Sequence, residues 1–160
     1  MPKVRPVRAG LAIAAIAMLP ALAACGDGAS DDPAKSAESF LHALADGDGE
    51  KACSLMADEE SGPAEPDSSE WSTCVSSVTE AAKDPGLGDF GIAPANLPDE
   101  GIAAYSDAKV TGAEVKDSSD GPKASVDREM ITGVENNSLE IELRSFDDLW
   151  YVTDVDEETG

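Results

Sequence analysis

The first half of the chain has the spacing of apolar residues that is typical of helices. Ala37, Phe40, Leu41 and Leu44 fall at positions i, i+3, i+4 and i+7, which places them on one face of a helix. Asp32 followed by proline is a good N-cap and first helical residue. The pattern therefore predicts a first helix over residues 33–47.

Two shorter helices are predicted after the first. Residues 50–57 place Cys53, Met56 and Ala57 on one face. A third helix begins near Ser68, because the spacing Asp67-x-x-Glu70 resembles a capping box. Its apolar stripe consists of Trp71, Cys74, Val75, Val78 and Ala82. Pro63 and Pro66 exclude a continuous helix between the second and third.

The second half of the chain alternates between apolar and polar residues, as strands do. A strand over residues 108–115 is predicted to bulge at Gly112, followed by a turn over residues 117–121. Residues 139–143 form the clearest alternation, and Asp147-Asp148 turns that strand into residues 149–155. Short polar turns imply an antiparallel sheet with one face in water. Helices followed by such a sheet predict an α+β domain.

Residues 1–24 have the three parts of a secretion signal: a basic start, an apolar middle and small residues at the end. The apolar run is about sixteen residues long and is interrupted by Pro20, whereas a spanning helix needs roughly twenty. Leu22-Ala23-Ala24-Cys25 resembles the lipobox of bacterial lipoproteins, whose cysteine becomes the diacylglyceryl-modified first residue. The resemblance implies that Cys25 anchors the chain to the cell membrane on its extracytoplasmic face. An ordinary signal peptide with a chance cysteine is the alternative.

Removal of the leader leaves 136 residues, which is enough for one domain. Residues 25–32 are small and polar and predict a flexible tether, and residues 33–156 are predicted to form the single domain. The leader contains three of the 11 basic residues and none of the 33 acidic ones, so the remainder carries a net charge of −25. This charge excludes nucleic acid as a partner and repels anionic lipid headgroups.

The cysteine count suggests a crosslink. Once Cys25 is assigned to lipid, Cys53 and Cys74 are left to pair outside the reducing cytoplasm. A disulfide closing this loop would stabilise the fold by roughly 3 kcal/mol in the chain-entropy account. Two buried free thiols are the alternative. A metal site is not expected, because the two cysteines stand apart from the one histidine, and no cofactor is expected either.

The order of elements and a few residues resemble small NTF2-like (cystatin-like α+β) lipoproteins of high-GC bacteria. The similarity lies in residues 37–48, with their Phe40-Leu41 pair and Gly47-Asp48 break, and in the Cys53-Ser54-Leu55 segment that follows. Residues 149–154 look like the last strand of such domains. The resemblance implies a cone of three helices on a curved sheet of about four strands, with a pocket between them that Trp71 or Phe90 could fill. Members of this family include enzymes and binders, so the fold alone assigns no function.

Candidate chemical groups are few, and each has a structural interpretation. His42 is predicted to face solvent beside Glu38 and Asp46. The acidic run of residues 46–50 begins like a calcium loop, but Lys51 and Ala57 occupy the positions that need glycine and glutamate, so a turn between helices is predicted. Weak calcium binding by residues 58–60 is possible on charge alone.

Two classes of function follow. The first is a non-enzymatic binding or accessory domain for an unknown protein or small ligand, with docking of cations or basic proteins as a variant. The second is a small enzyme of the isomerase or dehydratase type, which needs a buried carboxylate beside a hydroxyl donor. The available groups for the second are Tyr105, Tyr151, Asp107 and Asp154, and both tyrosines are predicted to be strand residues that cover the sheet.

Overall fold

A computed structural model describes residues 28–83, 101–135 and 138–157 of the 160-residue chain. The predicted leader, Cys25 as the predicted lipidation site, and Phe90 lie outside these residues. Three helices come first: α1 (Pro33–Asp46), α2 (Gly49–Ser54) and α3 (Ser69–Ala81). A 3-10 helix, Gly101–Asp107, then leads into the strands.

The described residues contain six strands in two antiparallel sheets: β1 (Lys109–Val110), β2 (Glu114–Ser118), β3 (Gly121–Val126), β4 (Ile131–Thr132), β5 (Leu139–Phe146) and β6 (Leu149–Glu157). Four of them form a sheet in the order β2-β3-β5-β6, and β1 pairs separately with β4. The predicted α+β class with a four-stranded antiparallel sheet is confirmed. The cone shape of the NTF2-like family stays a prediction.

The predicted bulged strand over residues 108–115 is wrong, because the chain changes pairing partner within it. Val110 pairs with Ile131, and Thr111 donates its N–H to the carbonyl of Met130. After Gly112 the chain instead pairs with β3, with Val115 opposite Ala124. Two short strands in different sheets replace the single one.

Helix α1 begins and ends as the sequence predicts. The Asp32 carboxylate accepts from the N–H of Ala34 at 3.0 Å, and Gly47 takes the left-handed conformation with φ of 67°. Phe40 and Leu41 on its inner face have no solvent exposure. They belong to the same core cluster as the sheet residues Ile141, Leu143 and Val152.

Helix α2 is shorter than predicted because the next residues pair with the sheet. Val152 donates its N–H to the carbonyl of Leu55 at 2.8 Å, and Ala57 donates to the carbonyl of Val152 at 2.9 Å. The helix therefore ends at Ser54. These bonds also cover part of the outer edge of β6, an edge that would otherwise invite pairing with another chain.

The N-terminal segment covers a second part of the same edge. Trp150 donates its N–H to the carbonyl of Ser30 at 2.8 Å. The N–H of Ser30 in turn donates to the buried hydroxyl of Ser36, also at 2.8 Å. The packed chain thus extends back beyond Pro33, where the sequence predicts the domain to begin.

The two hairpin turns follow local sequence. Asp147 and Asp148 both have positive φ, 52° and 65°, between the paired residues Phe146 and Leu149. This is the two-residue turn whose twist suits antiparallel strands. The turn predicted over residues 117–121 also lies at a hairpin end, where Ser118 pairs with Gly121.

Candidate functional site

A surface groove of about 650 Å³ lies between the end of α2, the first turns of α3 and the acidic loop of residues 58–67 that joins them. It is open to solvent. Its lining residues are Cys53, Met56, Ala57, Asp58, Ser61, Gly62, Pro63, Ala64, Glu65, Ser68, Glu70, Trp71 and Cys74. We refer to these residues as the acidic groove.

The floor of the acidic groove is apolar and contains a crosslink. The Sγ atoms of Cys53 and Cys74 are 1.96 Å apart and their Cα atoms 6.0 Å apart, so the pair predicted from sequence is at disulfide distance. Met56 and Trp71 are half-buried beside it, and the Met56 sulfur lies 3.9 Å from the Cys74 sulfur. The crosslink joins α2 to α3 directly beneath the groove.

Helix α3 is oriented by a cap that differs from the predicted one. The hydroxyl of Ser68 accepts from the N–H of Trp71 at 3.0 Å, so Ser68 is the N-cap. Asp67, predicted to cap the helix, has a left-handed φ of 73° and lies before it. The Ser68 cap sets the first turn of α3 and with it the position of Trp71.

The rim of the acidic groove carries the carboxylates of Asp58, Glu65 and Glu70, and its lining includes no Lys, Arg or His. Asp58 accepts hydrogen bonds from the N–H and hydroxyl of Ser61, at 2.9 and 2.8 Å, and from the N–H of Glu60 at 3.0 Å. The bonds from Ser61, with a smaller effect of Glu60, lower the pKa of the Asp58 carboxyl. This carboxylate is therefore ionised at neutral pH.

The acidic loop is held against the outer face of the sheet by a buried arginine. The guanidinium of Arg144 donates to the carbonyl of Glu59 and, at 2.7 Å, to the carbonyl of Asp120. Lys123 forms an ion pair with the Glu59 carboxylate at 3.1 Å. Asp58 and Gly62 exchange two backbone hydrogen bonds of 3.0 Å, which close the loop on itself.

The space between α1 and the sheet, where the NTF2-like resemblance implies a pocket, is filled by side chains. Phe40, Leu41, Ile141 and Val152 are fully buried there, and Leu143 is 1% exposed. Trp71 does not fill this space, since it lines the acidic groove instead. A second shallow groove of about 630 Å³ lies beside the N-terminal segment, between Ser30 and Leu149.

His42 is not the solvent-facing, ion-paired residue that the sequence predicts. Its Nε2 lies 2.7 Å from the carbonyl oxygen of Ala108, so the ring nitrogen donates to the backbone. Glu38, one turn earlier on α1, accepts from the N–H of Val110 at 2.8 Å. Glu38 and His42 therefore hold the segment around Ala108 and Val110, where the strands begin, against α1. Their i, i+4 spacing serves contacts between distant parts of the chain.

The groups considered for enzymatic chemistry are not arranged as an active site. Tyr105 is buried in the 3-10 helix and not on a strand, whereas Tyr151 is half-buried with its ring 6.1 Å from that of Phe146. Asp107 and Asp154 are exposed, and Asp154 accepts from the N–H of Val155. Within residues 28–83, 101–135 and 138–157, the buried polar side chains are those of Ser36 and Arg144, so the core there holds no carboxylate.

The acidic run of residues 46–50 forms a turn between helices. Gly47 ends α1, and the Asp48 carboxylate caps α2 by accepting from the N–H of Lys51 at 3.0 Å. In the part of the chain that the structure describes, no group of three or more His, Cys, Asp or Glu residues is placed to hold a metal ion.

The cysteine pair and the acidic residues of the loop are visible in the sequence, whereas the groove between them is not. Its walls depend on contacts between distant residues, above all Arg144 with Glu59. The sequence contains one signal of these contacts, because Arg144 lies on a strand that otherwise alternates Leu and Ile with Glu. A buried guanidinium needs hydrogen-bond acceptors from elsewhere in the chain.

No family model, no curated protein and no solved structure matches this chain. Among the residues that the structure describes, none of the helices has the length and apolar composition needed to cross a membrane.

Proposed function

We propose that this protein is a lipid-anchored extracytoplasmic lipoprotein whose single domain is a non-enzymatic binding or accessory module at the cell envelope. The anchor is the diacylglyceryl group on Cys25, and the domain is of the NTF2-like type. The observation that carries the proposal is the Cys53–Cys74 pair at disulfide distance, behind a leader that ends in Leu22-Ala23-Ala24-Cys25.

The cysteine pair supports the compartment. Disulfides persist in oxidising environments and are rare in the reducing cytosol. Cys53 is buried and Cys74 half-buried, and the bond joins α2 to α3. The crosslink can stabilise the domain only in a compartment where the two sulfur atoms stay oxidised.

The distribution of charged groups supports binding over catalysis. Acid–base enzymes shift the pKa of a catalytic carboxylate by burying it, whereas the carboxyl groups of Asp58 and Glu129, whose pKa is shifted, lie on the surface. Both shifts are downward and come first from hydrogen bonds to backbone N–H groups. Such carboxylates are charged at neutral pH and suit electrostatic recognition.

The position of Ser30 sets the distance between the domain and the bilayer. Ser30 is hydrogen-bonded to Trp150, and five peptide units connect it to Cys25, with only four residues between the two. A fully extended chain of that length spans at most roughly 18 Å. An acyl group on Cys25 would hold the Ser30 edge of the domain close to the headgroups, while the net negative charge keeps it from lying on them.

Fractionation of cells that express the full chain tests the proposal. The wild-type chain is expected in the membrane fraction and in the detergent phase after phase separation. Cys25→Ser removes the acceptor for the lipid and is expected to move the protein out of both. Ser54→Ala, a serine change on the folded domain, is the matched control and should stay with the membrane. Recovery of wild type and Cys25→Ser in the same soluble fraction would contradict the anchor.

A further inference from the structure

We propose that the acidic groove binds an extended segment of a partner protein through an arginine or lysine side chain. The cationic group lies against the indole of Trp71, and Asp58, Glu65 and Glu70 provide the opposite charges. The acidic groove would be the binding site of the module proposed above. Only the compartment in which the partner is found rests on that proposal.

The floor of the groove suits the apolar part of a long basic side chain. Trp71 is half-buried, and Met56 and the Cys53–Cys74 bridge extend the apolar surface beside it. A guanidinium or ammonium over the face of a tryptophan is attracted by the ring, by about 0.5–1 kcal/mol at exposed sites and more when water is displaced. Arginine and lysine also bury their aliphatic stems against such surfaces.

The charge at the rim of the groove favours a positively charged ligand. Three carboxylates line the groove and no basic side chain does. Two cations contact the acidic loop at Glu59, Lys123 through the carboxylate and Arg144 through the carbonyl, and neither of them lines the groove. The chain as a whole carries a net charge of −22, so its long-range field attracts cations and repels nucleic acid and other anions.

The walls are fixed before any ligand arrives. The disulfide holds α2 against α3, the Ser68 cap sets the first turn of α3, and Arg144 holds the acidic loop through Glu59. A preformed site loses less conformational entropy on binding, which leaves more of the contact energy for affinity.

The open shape favours a chain segment over a small molecule. Pockets for small ligands bury most of the ligand surface in a concave site. The acidic groove is open to solvent and has the volume for a side chain and its neighbours. A strand or loop laid across it could place one basic side chain on Trp71 and leave the rest of the partner outside.

Titration of the full chain, purified in detergent, with the blocked peptide Arg-Leu-Arg-Leu-Arg tests this inference by NMR. The Trp71 indole N–H signal is expected to move on titration, and that of Trp150, which is 8% exposed and does not line the groove, is expected to stay. The peptide in which citrulline replaces every arginine has the same shape without charge and should not bind. Affinity should fall steeply between low and high salt, as exposed charge pairs are screened.

Variants locate the effect in the groove. The double change Glu65→Gln, Glu70→Gln is expected to weaken binding about tenfold, since each surface charge pair contributes up to about 1 kcal/mol. Trp71→Leu should weaken it about fivefold through loss of the cation–ring attraction. The double change Glu114→Gln, Asp117→Asn on the exposed strand β2 removes the same charge elsewhere and should alter affinity less than about twofold.

Three results would show that the groove has no charge-dependent site for the peptide, and each would overturn the inference. They are equal binding of the citrulline peptide, an unmoved Trp71 signal at millimolar peptide, and equal weakening by the groove pair and the β2 pair. Binding of arginine amide as tightly as the peptide would assign the groove to small cations and reject the chain-segment ligand. The titration repeated on Cys25→Ser gives the same answer whether or not the anchor exists, so the two proposals fail separately.

Discussion

Gly49 lies against Val75 with no space for a side chain. A Cβ atom at position 49 would be 2.5 Å from the carbonyl oxygen of Val75 and 2.8 Å from the hydroxyl of Thr79. Helices α2 and α3 therefore meet backbone to backbone at this point. We expect Gly49→Ala to push the helices apart and lower the free energy of unfolding by about 1–3 kcal/mol, measured by chemical denaturation.

Gly112→Ala is the matched control, because nothing lies within 4 Å of a Cβ at that position. Its effect should stay within about 0.5 kcal/mol. Equal losses for the two variants would show that glycine removal as such, and not the approach of α2 to α3, is responsible.

The bond between Cys53 and Cys74 should carry a measurable part of the stability. Its partners are 21 residues apart in sequence, and a loop of this size stabilises by about 3 kcal/mol when crosslinked. Cys53→Ala, Cys74→Ala is therefore expected to lower the urea midpoint, and reductant should lower the wild-type midpoint to a similar value. The double variant should not respond to reductant. A wild-type midpoint that is the same with and without reductant would contradict the crosslink.

Arg144 should stabilise the acidic loop more than an exposed basic residue on the sheet would. Arg144→Met keeps the aliphatic stem but removes the donors to the Glu59 and Asp120 carbonyls. We expect a loss of about 2 kcal/mol, because hydrogen bonds from charged donors exceed neutral ones in strength. Hydrogen exchange should become faster at the Gly62 N–H, which closes the loop onto Asp58.

Lys116→Met provides the comparison for Arg144. The Lys116–Glu114 ion pair is 3.1 Å long, with 68% and 56% of the two side chains exposed. Surface pairs of this kind contribute little, so the change should cost less than about 0.5 kcal/mol and leave the Gly62 N–H unaffected. Equal costs at positions 116 and 144 would argue against burial as the reason for the Arg144 effect.

Asp58 should make stability depend on pH in the acid range. Hydrogen bonds from Ser61 and Glu60 lower its folded pKa below the ordinary value of 3.8. A lowered folded pKa gives a contribution that is complete above the unfolded pKa and is lost as the pH falls through the folded value. The stability difference between wild type and Asp58→Ala should be constant above about pH 5 and shrink below pH 4, as measured by urea denaturation across pH.

Asp117→Ala, an exposed aspartate on β2, is the reference for that series. Its difference from wild type should not follow the same curve. A gap between wild type and Asp58→Ala that widens as the pH falls would contradict the direction of the Asp58 shift.

Local features of the fold could be predicted from the sequence because neighbouring residues determine them. The Asp32 cap, the left-handed Gly47 and the Asp147-Asp148 turn each depend on a few consecutive residues. The cysteine pair followed from counting and from the apolar faces of two predicted helices. The helix-then-sheet order followed from the change in hydrophobic period.

The features that the sequence pattern could not predict depend on contacts between residues that are far apart in the chain. Residues 55–57 leave their helical periodicity because the edge of β6 offers backbone partners. His42 has charged neighbours at i−4 and i+4, yet it hydrogen-bonds to Ala108, 66 residues away. The acidic groove depends in the same way on Arg144 reaching Glu59, so its shape is visible only in the folded chain.

The intact mass of the protein purified from the membranes of its native cells tests the central claim most directly. The account predicts a chain of 136 residues that begins at Cys25, carries a diacylglyceryl group there, and gains two hydrogen atoms when the Cys53–Cys74 bond is reduced. A chain that retains residues 1–24 and has no acyl group, with both remaining thiols free, would contradict it.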